Sequence, residues 1–357
     1  MNTRVVYGCV ALAAVWCTGC DDGEEASGAP DAAVAADAMP MADMAMADAA
    51  VADDAAIPDA EAPGDGCWDD LSPGEVEIFY DGFPTGIEGG SEGVSFGADG
   101  RLYVGSAGTL WAFGPDGGEP EAFAEVPDLI GFAPAGDGFV VASFGPSSAE
   151  DVTDGVVYSV SAAGEVTPLA TDLFNPNFVA MMPDGSALVS DASSTRIIRV
   201  ATDGSVSEVI GDVPSPNGMA YSPEGDALYV ASTFTPEGQV TRFAVDADGL
   251  PLADDRSEIA ALGAGFTLDG VAVGASGAVY VAANVKHALW KLTPGEAGAP
   301  FEAALFAEGA RNPASLAFGA GEGFDPCSVY VTQLFGSAVY RVAIGEPGAP
   351  LLPFPTP

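Results

Sequence analysis

An all-β fold of six four-stranded blades, a β-propeller whose last blade is closed by the N-terminal strand, is what the sequence predicts for residues 67–357. Three observations carry this expectation. Short runs rich in Val, Ala, Tyr and Phe are separated by turn pairs such as Asp99-Gly100, Asp184-Gly185 and Glu224-Gly225. One motif recurs six times at a spacing typical of propeller blades. The sixth repeat lacks a fourth strand, and a spare strand precedes the first repeat.

The recurring motif is a polar residue, three small or apolar residues and a bulky residue, followed by a turn and a second β run. Its copies read EGVSF, DLIGF, NFVAM, NGMAY, DGVAV and ASLAF, ending at Phe96, Phe132, Met181, Tyr221, Val273 and Phe318. Second strands follow as RLYVGS, GFVVAS, ALVSDA, ALYVAS, AVYVAA and SVYVTQ. Third strands follow as TLWAFG, GVVYSV, RIIRVA, QVTRFA, ALWKLT and AVYRVA. Fourth strands are legible in five copies, as EAFAEV, VTPLAT, VSEVIG, SEIAAL and EAALFA. The donor for the sixth blade is VEIFYDG, residues 76–82, which brings the chain ends into one blade and removes an open sheet edge.

The segment ahead of this domain reads differently. Arg4, the apolar run from Val5 to Trp16 and Thr18-Gly19-Cys20 have the order of an export signal, with an apolar run too short to span a bilayer as a helix. Cys17-Thr18-Gly19-Cys20 resembles a bacterial lipobox with Cys17 where Leu is usual. The resemblance implies that residues 1–19 are a lipoprotein signal peptide, cleaved before Cys20, and that the Cys20 thiol is acylated; a plain signal peptide cut elsewhere is the other reading. Residues 20–66 are dominated by Ala, Asp, Met, Pro and Gly, with no aromatic residue. Such a stretch cannot bury enough apolar surface to offset chain entropy, and it is expected to be a disordered tether. Localisation at the cell envelope, on the periplasmic side or the cell surface, follows, with the lipid anchor as the sole link to membrane.

Composition narrows the partners. The formal charge is −42, from 52 acidic and 10 basic residues, and no Lys or Arg lies between Arg4 and Arg101. That field repels phosphate, so no nucleic acid partner is expected. A monomer is expected. Once Cys9 and Cys17 leave with the signal and Cys20 is acylated, Cys67 and Cys327 remain as the pair in an oxidising compartment and are expected to be bridged. The sole histidine, His287, excludes His-dependent triads and multi-His metal sites, and it reads as a surface turn residue.

First strands line a propeller's channel, so equivalent positions form a ring. Four residues before each bulky residue stand Glu92, Asp128, Asn177, Asn217, Asp269 and Ala314. Carboxylate and amide oxygens without thiolate or imidazole suit a hard divalent cation, with calcium favoured over magnesium, manganese or zinc. The same residue types also cap turns through side-chain to backbone hydrogen bonds, an alternative that would suffice for any one of them.

At these residues the segments PNGMAYSPEGDALYVA and DGVAVGASGAVYVA resemble the gluconolactonase and regucalcin (senescence marker protein) family of six-bladed propellers. The resemblance spans roughly residues 76–345 and is strongest over 174–293. It implies a metal held by Glu92, Asn217 and Asp269, a lactonase reaction in which Asp269 helps activate water, and a substrate-side or water-linked place for Asn177; Asn175 and Asp128, the latter a carboxylate that the family pattern does not require, are expected on the same side. Departures from the family pattern are Val94 and Phe96 where Pro and Trp are usual, Asn175 in place of a substrate-binding Arg, and Phe178 where Asn177 would be followed by Asp. Two functions are therefore expected. One is a metal-dependent hydrolase of small lactones or related esters; the other is a non-catalytic propeller, resembling NHL-type repeats, that binds an envelope protein or glycan.

Overall fold

The computed structural model describes residues 66–86, 90–145, 152–295 and 300–350; the export signal, Cys20 and all but the last residue of the 20–66 tether lie outside the described residues. Strand β1 (Val76–Asp81) comes first, and every later strand belongs to a run of blades. Blade one is β2 (Ser91–Phe96), β3 (Leu102–Ser106), β4 (Thr109–Phe113) and β5 (Glu121–Glu125). Blade two is β6 (Leu129–Ala135), β7 (Gly138–Ser143), β8 (Gly155–Val160) and β9 (Val166–Leu173). Blade three is β10 (Pro176–Met181), β11 (Ala187–Asp191), β12 (Ile197–Val200) and β13 (Val206–Ile210). Blade four is β14 (Pro216–Tyr221), β15 (Ala227–Ser232), β16 (Gln239–Val245) and β17 (Pro251–Ala261). Blade five is β18 (Leu268–Val273), β19 (Val279–Ala283), β20 (Ala288–Thr293) and β21 (Glu302–Glu308). Blade six is β22 (Pro313–Phe318), β23 (Ser328–Gln333) and β24 (Ala338–Ala343), completed on its outer edge by β1.

All six sheets are antiparallel meanders, and the first strands β2, β6, β10, β14, β18 and β22 pack on one another in a closed ring. This is the expected six-bladed propeller, with the expected N-terminal closure. The alternation of each strand places apolar side chains on both faces, so the core is divided into six seams between neighbouring blades. Phe96, Leu102, Phe113, Phe324 and Tyr330 fill the seam between blades six and one. Val179, Met181 and Val189 face blade two, whereas Leu188, Met219, Val230 and Phe243 fill the seam between blades three and four. No helix among the described residues is long and apolar enough to cross a membrane.

Closure is reinforced covalently. Cys67 and Cys327 are disulfide-bonded, with their Cα atoms 5.1 Å apart at a sequence separation of 260. Around the bridge, the Trp68 amide donates to Asp325 Oδ1 at 3.2 Å, and buried Arg341 pairs with Asp70 at 2.5 Å while its guanidinium lies over the Trp68 ring. These contacts fasten the segment ahead of β1 to the blade that β1 completes.

Ladder register corrects one alignment. Val94, Val179, Met219, Val271 and Leu316 pair with the second strand at equivalent places, and in blade two the residue at that place is Phe132, opposite Val141. Phe132 thus sits inside the strand, not at its end. The end equivalent to Phe96 is Pro134, because β6 runs on into a tight turn at Gly136-Asp137, and the ring position of blade two is Ile130, two residues beyond Asp128.

Candidate functional site

The ring at the channel mouth is occupied by Glu92, Ile130, Asn177, Asn217, Asp269 and Ala314, each the second residue of its strand. Polar groups therefore come from blades one, three, four and five. Asp128 stands one position before β6 with φ 49°, in the left-handed region that Asp, Asn and Gly tolerate best, and its carbonyl accepts the Phe144 amide at 3.2 Å. Asn175 has the equivalent place in blade three, its carbonyl accepting the Ala192 amide at 3.3 Å. The left-handed backbone at Asp128 suits its residue type, and the register of β6 places Asp128 outside the ring.

Two glycines let the polar strands approach. A Cβ on Gly218 would lie 2.3 Å from the Asp269 carbonyl oxygen, and one on Gly270 would lie 2.7 Å from that of Ala314. Only a bare Cα admits the next blade's backbone at this distance. Asn217 and Asp269 are brought together as a result.

The side chains form a connected set. The Asn217 amide nitrogen donates to Thr233 Oγ1 at 3.0 Å, and that hydroxyl donates to the Leu268 carbonyl at 2.7 Å. The Asn217 side chain also favours the ionised form of the neighbouring Asp269 carboxyl. With its nitrogen so engaged, the amide is held in one orientation, and its buried Oδ1 has no hydrogen-bond partner. Across the ring, the Glu92 carbonyl accepts Thr332 Oγ1 at 2.5 Å, which fixes blade one against blade six. Thr233 and Thr332 were not singled out from sequence, although both lie at or just past the ends of their second strands in the repeat.

Electrostatics mark Glu92 and Asp269 as one unit. Burial raises the Glu92 carboxyl to about 7, and it raises Asp269 well above the usual carboxylate range; Glu92's charge adds to the second shift, and the Asn217 amide opposes it. Two carboxylates sharing a largely enclosed site resist ionising together unless a positive charge joins them. A hard divalent cation fits these residues, since it would stabilise both carboxylates and give Asn217 Oδ1 a partner. Among the described residues no three His, Cys, Asp or Glu side chains converge, so neutral oxygens such as that of Asn217 would have to complete any such site. Asn177 is buried at the equivalent place in blade three. His287 is an exposed turn residue with φ 55°, and its Nδ1 accepts the Asn312 amide at 3.0 Å.

Residues 187–333 match the family model described as the SMP-30/gluconolactonase/LRE-like region. Solved structures with the same fold include a gluconolactonase from Xanthomonas campestris, with TM-score 0.59 and 17% identity, covering 80% of this chain and 97% of that one. A calcium-binding protein, regucalcin, from Agrobacterium tumefaciens has TM-score 0.56 and 19% identity over 77% of this chain and 98% of its own. A streptogramin B lyase, at TM-score 0.51 and 13% identity over 76% and 97%, places different chemistry on the same scaffold. No curated protein is matched by the sequence. Residues 187–333 are thus similar to the SMP-30/gluconolactonase/LRE-like region, and the solved structures share the fold of the whole propeller.

Proposed function

We propose that this protein is a divalent-cation-dependent hydrolase of small lactones or related esters, held at the bacterial cell envelope by an acylated Cys20. The observation that carries the reading is the coupled carboxylate pair of half-buried Glu92 and buried Asp269, together with an Asn217 oxygen that lacks a donor. Calcium is the ion proposed, by the all-oxygen chemistry of the set and by likeness to the calcium-binding regucalcin.

Glu92, Asn217 and Asp269 would hold the ion. A bound cation would polarise the ester carbonyl as a Lewis acid and stabilise charge gathering on its oxygen. Hydrolysis adds the hydroxyl of water to the acyl carbon and returns its proton to the leaving ring oxygen. Asp269 is the group proposed to take and return that proton, since its carboxylate stands at the ring position beside the place the cation and its ester ligand would fill. Thr233 orients Asn217, and the Asn217 amide favours the ionised form of Asp269. Asn177, one blade away at the same register, is proposed to contact substrate or an intervening water.

Export, acylation at Cys20, the tether over 20–66 and a monomeric state complete the proposal, supported by the signal-like order of residues 4–20 and the composition that follows. Calorimetric titration of the intact protein with calcium, alongside Asp269→Ala and Asn217→Ala, tests the metal. Binding lost in both variants, followed by turnover on a lactone panel, is expected. Absence of binding for calcium, magnesium, manganese and zinc alike would overturn the reading.

A further inference from the structure

We infer that Phe178, on blade three, is a specificity-determining residue that gives the site an apolar wall, so that the ester it takes carries a hydrocarbon substituent next to the reacting carbonyl. The inference rests on the hydrolase reading above and names the class of substrate within it.

A break in the sixfold pattern comes first. The residue after the ring position is Gly93, Gly131, Gly218 or Gly270 in blades one, two, four and five, but Phe178 in blade three and Ser315 in blade six. A Cβ on Gly93 or Gly270 would lie 2.7 Å from the carbonyl oxygen of the next blade's ring residue, and one on Gly131 or Gly218 would lie 2.3 Å from it. A side chain at this place therefore points at the neighbouring first strand, and Phe178 points at β14, which carries Asn217. Its ring packs against the seam between blades three and four, where Leu188, Met219 and Val230 are buried. Its amide donates to Ser190 Oγ at 3.0 Å, which fixes the backbone to its own blade. With a side chain in the way, β14 cannot approach β10 as closely as β18 approaches β14.

Exposure supplies the second observation. Among the second and third residues of the six first strands, Glu92 and Phe178 alone are partly exposed, and the others are buried. The rest of β10 is buried too. That strand is the innermost of its blade, hydrogen-bonded to β11 along one edge with the channel along the other. The open part of the Phe178 ring thus faces the channel. At ring level a molecule entering the mouth meets two accessible surfaces, the Glu92 carboxyl and a phenyl ring.

The ring is not a demand of the fold, since the other five blades do without an aromatic residue at this place. A phenyl group offers no donor or acceptor, so a ligand hydroxyl laid on it would give up hydrogen bonds to water and gain none in return. A hydrocarbon group instead leaves water together with the ring, which favours binding. Because Phe178 points at the strand of Asn217, a proposed cation ligand, the group that covers it lies next to the carbonyl the cation would polarise.

Initial rates of the intact protein in calcium test the inference on γ-nonalactone, whose ring carries a pentyl chain, and on γ-butyrolactone, the same ring without the chain. A kcat/KM about tenfold or more in favour of γ-nonalactone is expected for wild type. The preference should vanish in Phe178→Ala and in Phe178→Gln and be retained in Phe178→Leu, which a merely structural role would not separate. Melting temperatures establish that each variant is folded, and Phe178→Gln, nearer in volume, carries the test if the alanine variant unfolds. Equal kcat/KM for the two lactones in wild type, or an unchanged ratio in folded Phe178→Gln, would overturn the inference and leave the hydrolase reading standing. If no lactone is turned over, the hydrolase reading falls, and the lactams of the same two carbon skeletons, which resist hydrolysis, decide the apolar wall by saturation-transfer NMR. The pentyl lactam should then bind wild type about tenfold more tightly than Phe178→Gln; equal or absent binding would overturn the inference.

Discussion

Removing the Cys67–Cys327 bridge should lower stability by about 5 kcal/mol while leaving the propeller intact. The bridge closes a loop with a sequence separation of 260 residues, for which the chain-entropy relation gives roughly 19 cal/mol/K, or about 5.6 kcal/mol at 25 °C. Its benefit lies in the unfolded chain. In the folded chain β1 still pairs with β24, from Val76 opposite Val342 to Asp81 opposite Ala338, and the Arg341 contacts with Asp70 and Glu77 remain. The perturbation is therefore Cys67→Ser with Cys327→Ala, the alanine because Cys327 is buried. Urea and thermal unfolding of the oxidised wild type and the double variant provide the assay. For a domain of this size the expected loss corresponds to a melting temperature lower by roughly 10 °C, and wild type treated with reductant should converge on the variant. A loss below about 1 kcal/mol would refute the reasoning, since a constraint on so long a loop cannot be that weak unless the reduced chain retains the closure when unfolded.

Further outcomes are expected at the site. Calcium at a hundredfold excess over its Kd should stabilise wild type by about 2.7 kcal/mol in thermal melts and should leave Asp269→Ala unshifted. In chelator, stability should decline as pH rises from about 4.5 to about 7, because Glu92 keeps its proton in the folded state up to about 7 but loses it near 4.5 when unfolded; Glu92→Gln should flatten that slope in melts taken across the range. Gly218→Ala should cost about 1–3 kcal/mol in urea unfolding and weaken calcium binding, since the new methyl group would press on the Asp269 carbonyl and force β14 from β18.

Repetition made the fold legible. Six copies of one strand pattern fixed the blade count, and a missing fourth strand together with VEIFYDG ahead of the first copy fixed the closure, because without it the sixth blade would lack the outer strand that the other five have. The same repetition put Glu92, Asn177, Asn217 and Asp269 at one register, since those blades share a regular turn after the first strand. Blade two did not follow. Its bulky Phe132 imitates a strand end, and only hydrogen-bonded pairing with Val141 shows that the strand continues to Ala135 and that Ile130 holds the ring position.

Composition and spacing thus determined that this chain alternates, repeats and closes, because those properties depend on neighbours along the chain. Tertiary structure decided which polar groups share a largely enclosed space. Glu92 and Asp269 are 177 residues apart by subtraction of their numbers, and their mutual effect on protonation exists only once the ring is closed. The unsatisfied oxygen of Asn217, the Thr233 relay and the open face of Phe178 are likewise invisible in a linear pattern. Burial and partner geometry create them, and both are properties of packing between blades rather than of any one strand.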